Sequence, residues 1–186
     1  MSAKTNEHQK RKQSLDRSDR NLTPRQAALD VLSDFWANGS GTVDFPVDPV
    51  LIAQRMGARV LRATLEDDVS GLLVKEPQDE AATIYLNAGD AEKRQRFTCA
   101  HELGHLRRRG ITKGERIGYV DSRDLEARTG RNPEEVWANQ FAAELLMPAA
   151  AVRALWAQAE SPSRLARVFG VSPAAVDVRL TSLGLA

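Results

Sequence analysis

His101-Glu102-Leu103-Gly104-His105 sets two imidazoles four residues apart, with a carboxylate next to the first. On an α-helix, positions i and i+4 lie about 40° apart, so both rings can reach one ion. Glu102 projects about 100° from His101, beside such an ion and not onto it. A carboxylate placed there can take a proton from a water whose pKa zinc has lowered to about 7. With three histidines and twelve glutamates in 186 residues, this spacing would arise by chance about 0.003 times. Gly104 costs about 1 kcal/mol relative to alanine inside a helix, which points to another element packed closely there.

Two histidines do not complete a catalytic zinc site, which ordinarily has three protein ligands and one open position. The only other histidine is His8, in a polar N-terminal stretch, and Cys99 is the only cysteine. The third ligand is therefore expected to be a carboxylate. The run from Pro133 to Pro148, PEEVWANQFAAELLMP, offers Glu134, Glu135 and Glu144. Glu135, Asn139, Ala142 and Leu146 share one helical stripe whose small residues would allow close approach. Asn139 could hydrogen-bond an imidazole. Asn132-x-x-Glu135 also has the pattern of a capping box, which would employ Glu135 without any metal. On the residues alone all three glutamates stay open. Cys99, two residues before His101, faces about 160° away on the helix and is expected to be a buried thiol.

Elements that could position these groups follow from periodicity and punctuation. Thr23-Pro24 predicts a helix start, with Ala27, Ala28, Val31, Leu32 and Phe35 at helical spacing. A short helix fits Asp48 to Met56. Strands are expected over 58–61, 70–75 and 82–87, with a turn at Pro77-Gln78-Asp79. A long helix over about 90–109 carries the histidines and ends on three arginines, and Gly110 breaks it. Residues 110–131 are polar and ambiguous. Asn132-Pro133 starts another helix, running to about Met147, and shorter helices follow to the end. Helices, a small sheet, then helices is an α+β layout.

Lys and Arg total 26 against 25 Asp and Glu. Such a near-neutral chain is not built as a clamp for nucleic acid. No apolar run approaches the ~20 residues of a membrane span. A single cysteine rules out an internal disulfide and suggests a reducing compartment, and the polar N-terminus does not read as a secretory leader. Residues 1–20 hold six Lys/Arg and three Asp/Glu and are expected to be a disordered basic tail. Residues 21–160 are expected to form the core, and 161–186 a helix-turn-helix-like pair packed on it. That pair contains Leu165, Ala166, Phe169, Val176 and Leu180. Its second helix has one arginine, Arg179, alongside Asp177, which is poor for phosphate contacts.

The segments FTCAHELGHL and EEVWANQFAAELLMP resemble the ImmA/IrrE family of metallopeptidases. The resemblance implies a zincin-like α+β fold with a small, mostly antiparallel sheet. It implies zinc bound by His101, His105 and Glu135, with Glu102 as general base. It also implies a substrate strand added along the sheet edge, for which 70–75 is the candidate. Tyr119 or Tyr85 could stabilise an oxyanion.

The function expected is a cytoplasmic zinc endopeptidase that cleaves a helix-turn-helix (Xre-type) repressor and so relieves repression. The alternative is a non-catalytic anti-repressor or toxin-type partner with a structural zinc site. A structural site has no use for a carboxylate beside an open metal position, so Glu102 favours chemistry.

Overall fold

Thr23 opens the first helix by reciprocal capping. Its Oγ1 accepts from the Gln26 N–H, and the Gln26 side chain accepts from the Thr23 N–H. Pro24 takes the first helical position, where a missing N–H costs nothing. The computed structural model describes residues 21–110, 117–122, 132–158 and 161–186, the segment 117–122 by its backbone. The basic tail expected over 1–20 lies outside the described residues.

In chain order the described elements are α1 (Pro24–Phe35), α2 (Pro49–Arg55), β1 (Arg59–Ala63), β2 (Val69–Lys75), β3 (Thr83–Asn87), α3 (Glu92–Arg109), β4 (Ile117–Ser122), α4 (Pro133–Leu146), α5 (Ala149–Trp156), α6 (Pro162–Phe169) and α7 (Pro173–Ser182). This is the α+β layout that the sequence predicts. Asp48, Asn132, Ser161 and Ser172 each cap a helix with a side-chain oxygen, and each is followed by proline. Among the described residues no helix is long and apolar enough to cross a membrane.

The four strands form one sheet in the order β1-β3-β2-β4. β1 runs parallel to β3, and the other two pairings are antiparallel. β4 is a strand that the sequence pattern does not reveal. Ile-Gly-Tyr-Val-Asp-Ser has no clear alternation, and its pairing with β2 makes it extended. β4 also corrects the expected sheet edge: β2 lies between β3 and β4, and the outer strands are β1 and β4. The β2–β4 register shifts between Val69 and Gly71, leaving Ser70 as an extra residue on β2. The buried Ser70 Oγ accepts two hydrogen bonds from Arg94 of α3, at 3.2 and 2.9 Å.

One face of the sheet carries Gly71, Leu73, Ile84 and Leu86, all buried against α3. Arg62 lies on the same face, and its Nε donates to Gln95 of α3 at 2.8 Å. α3 is thus held between the sheet and α4. Gly104 makes the second contact close, because a Cβ there would lie 3.1 Å from Phe141 Cδ1 and 3.2 Å from Ala138 Cα.

α6 and α7 share this core through Leu165, Phe169, Val176 and Leu180. Phe169 meets Phe45 edge-on, and Arg96 of α3 donates to the carbonyls of Gly170 and Val47. Arg179 pairs with the buried Glu144 and donates to the Met147 carbonyl. The one basic side chain of α7 is therefore spent inside the protein.

Candidate metal centre

α3 buries almost its whole circumference from Thr98 to Arg107, so its two histidines are held by packing on every side. His101 and His105 are 2% and 3% exposed, and their Nε2 atoms lie 3.0 Å apart. The first turn of α4 brings Glu135 to them. Its Oε2 is 3.1 Å from His101 Nε2, and its Oε1 is 3.2 Å from His105 Nε2. Ligands about 2.0–2.1 Å from a tetrahedral zinc lie roughly 3.3 Å from one another. Two nitrogens and a carboxylate at these separations fit such an ion.

The protonation pattern fits as well. His101 Nδ1 donates to Asn139 Oδ1 at 3.0 Å, and this contact turns Nε2 toward the Glu135 carboxylate. Hydrogen bonding to His101 and then to His105 holds the Glu135 carboxyl well below the usual carboxylate range. Burial lowers the His105 pKa, and the hydrogen bond to Glu135 opposes it in part. Two imidazole nitrogens and one carboxylate thus converge on a common point, the donor set of a divalent cation site. His101, His105 and Glu135 form the one such cluster among the described residues.

The three glutamates left open by spacing have separate fates. The Asn132 Oδ1 caps α4 on the Glu134 N–H at 3.0 Å, and both oxygens of the Glu135 carboxylate face the histidines. Glu134 pairs with Arg109 at 2.9 Å on the surface. Glu144 is buried on Arg179 and accepts from the Ala149 N–H at 3.0 Å, where α5 has no side-chain cap of its own.

Glu102 is fully buried on the sheet side of α3, where Gly71 leaves room for its neighbour Thr98. A Cβ on Gly71 would lie 2.4 Å from Thr98 Cγ2 and 3.4 Å from Glu102 Oε1. Gly71 and Thr98 are missed by a motif reading. Their one trace in the sequence is a glycine interrupting an apolar strand run, which marks close approach of another backbone.

Tyr85 is not brought to this site. It alternates with Ile84 and Leu86 along β3, and its cross-strand neighbours Leu61 and Leu72 share the face away from α3. Tyr119 belongs to β4, opposite Leu73 in register, and its side chain lies outside the described residues. Cys99 is fully buried in the core cluster, and burial, followed by the nearby Glu102 charge, pushes its thiol pKa up.

Residues 53–181 match the family model described as the IrrE N-terminal-like domain, a peptidase family. The match covers more than two-thirds of the chain and includes the sheet, both helices of the site and the C-terminal pair. No curated protein matches the chain.

Proposed function

Since the chain belongs to the IrrE N-terminal-like family of metallopeptidases, we propose that it is a zinc-dependent endopeptidase. The observation that carries this reading is the meeting of His101, His105 and Glu135 at 3.0–3.2 Å, with Glu102 next to His101 in the helix that carries both histidines. Zinc held by the three ligands would supply a Lewis acid that polarises a peptide carbonyl and eases deprotonation of water.

The chain's own residues supply the rest. Glu102 takes the proton of the attacking water and returns it to the leaving amine. Asn139 fixes the tautomer and ring orientation of His101. The substrate backbone is expected to extend the sheet at an outer strand. β4 is the candidate, because β2 already has both neighbours.

We further propose that the substrate is a regulatory protein, a helix-turn-helix (Xre-type) repressor, and that cleavage relieves repression in the cytoplasm. The resemblance of the two motifs to the ImmA/IrrE family supports this. So does the C-terminal pair, whose exposed α7 residues Ala174, Asp177, Val178 and Thr181 offer no cation for phosphate and suit a protein surface better.

The test is zinc content per chain for wild type, Glu135→Ala and Glu134→Ala, followed by incubation of the zinc-loaded proteins with a co-encoded repressor. About one zinc in wild type, lost only in Glu135→Ala, together with repressor cleavage abolished by Glu102→Gln, is the expected result. Zinc retention without cleavage by wild type would favour a non-catalytic anti-repressor. No zinc even when it is supplied at neutral pH would defeat the metal site itself.

A further inference from the structure

Thr98 lies one helical turn before Glu102 on α3, so the two side chains share a face. Both are fully buried, and the Thr98 methyl and Glu102 Oε1 face the same part of the sheet, around the place a Cβ of Gly71 would occupy. The Thr98 hydroxyl is enclosed and, among the described residues, makes no hydrogen bond. A threonine inside a helix commonly turns its hydroxyl to the carbonyl four residues earlier, here that of Arg94. This one does not. A buried hydroxyl without a partner is costly, and valine has the same shape without that cost. A hydroxyl kept in this position points to an acceptor that it meets in the working state.

The nearest carboxylate on its face is Glu102. Resting on the peptidase reading above, we propose that Thr98 is a positioning residue for Glu102. Its hydroxyl donates to the Glu102 carboxylate, directly or through one water, and so holds that carboxylate in the orientation that serves the His101–His105–Glu135 site. A carboxylate has about four acceptor positions, so one taken by Thr98 leaves others for proton transfer. The Thr98 methyl has a separate role: it packs where Gly71 has no side chain.

Two substitutions separate these roles. Thr98→Val keeps the shape and removes the hydroxyl, and Thr98→Ser keeps the hydroxyl and removes the methyl. Zinc content, the thermal midpoint of the metal-free chain, and kcat and KM for casein hydrolysis are measured on wild type and both variants. A crystal structure of the zinc-loaded wild type accompanies them.

The expected result is equal zinc content throughout and a Thr98→Val midpoint no lower than wild type. Its kcat should fall about tenfold with KM unchanged, while Thr98→Ser stays within about threefold of wild type. In the crystal structure the Thr98 hydroxyl should lie within hydrogen-bond distance of Glu102 or of a water bonded to both. Wild-type kcat in Thr98→Val, or a hydroxyl bonded to the Arg94 carbonyl in the crystal structure, would each overturn the proposal. If wild type holds zinc but leaves casein intact, the peptidase reading is what has failed, and the crystal structure still decides the Thr98 contact.

Discussion

Gly104 of α3 and Ala138 of α4 are in backbone contact: a Cβ on Gly104 would lie 3.2 Å from the Ala138 Cα and 3.4 Å from its Cβ. This crossing sets the distance between the helix that carries the two histidines and the helix that carries Glu135. Gly104→Ala therefore sets two effects against each other. Helix propensity favours alanine by about 1 kcal/mol, and overpacking costs about 1–3 kcal/mol. The added methyl meets backbone, which cannot turn aside, so overpacking should win. The variant should be about 1 kcal/mol less stable in urea denaturation and should bind zinc more weakly. A variant as stable as wild type would mean that the helices part without strain.

Asn139 touches the site through His101 alone among its described hydrogen bonds. Asn139→Ala should leave the fold intact and lower zinc affinity by about 10–100-fold, the usual cost of losing a ligand's hydrogen-bond partner. Competition with a chromogenic chelator reads this directly. Unchanged affinity would show that packing alone orients the imidazole.

Glu144 and Arg179 are a buried pair that fastens α7 to α4 and α5. Arg179→Met leaves the carboxylate with only the Ala149 N–H and the more distant, exposed Arg25, and should cost about 2–3 kcal/mol. Glu144→Gln combined with Arg179→Met should recover part of that loss. Zinc content should stay at the wild-type level in all of these variants, which separates Glu144 from Glu135. The measurements are denaturant midpoints and metal content on the same preparations.

The metal-free chain should lose stability on acidification. Folding lowers the pKa of His105, chiefly through burial, so below about 6.5 the unfolded chain takes up that proton first. Folding also lowers the pKa of Glu135, through its bonds to His101 and His105. Its contribution is present above the unfolded value of about 4.3 and is lost as pH falls toward the depressed folded value. Both signs agree: urea midpoints should fall between pH 7 and pH 4 through His105 and go on falling below pH 4 through Glu135. Zinc binding should weaken over the same range, because the ligands must be deprotonated. A midpoint constant across that range would contradict the interactions drawn for this cluster.

Much of the architecture was legible because its signals are local. Thr23, Asp48, Asn132, Ser161 and Ser172 cap helices where a polar residue precedes proline, and the structure differs from the expected limits of these elements by a residue or two. β4 was not legible, since its extended form comes from pairing with β2, more than forty residues earlier in the chain. Missing β4 also misplaced the sheet edge on β2.

The chemistry divides along the same line. Two histidines and a glutamate at helical spacing are a statement about one helix, and the 3.6-residue turn guarantees their relative directions wherever that helix is placed. The sequence by itself therefore determined the pair of imidazoles and the adjacent carboxylate, and it offered three glutamates as their possible partner. Which glutamate meets the histidines depends on how α3 and α4 cross. Only the tertiary structure decided it, by bringing Glu135 to the histidines, Glu134 to Arg109 and Glu144 to Arg179. The same holds for Gly71 and Thr98, whose roles exist only where a strand and a helix distant in sequence are pressed together.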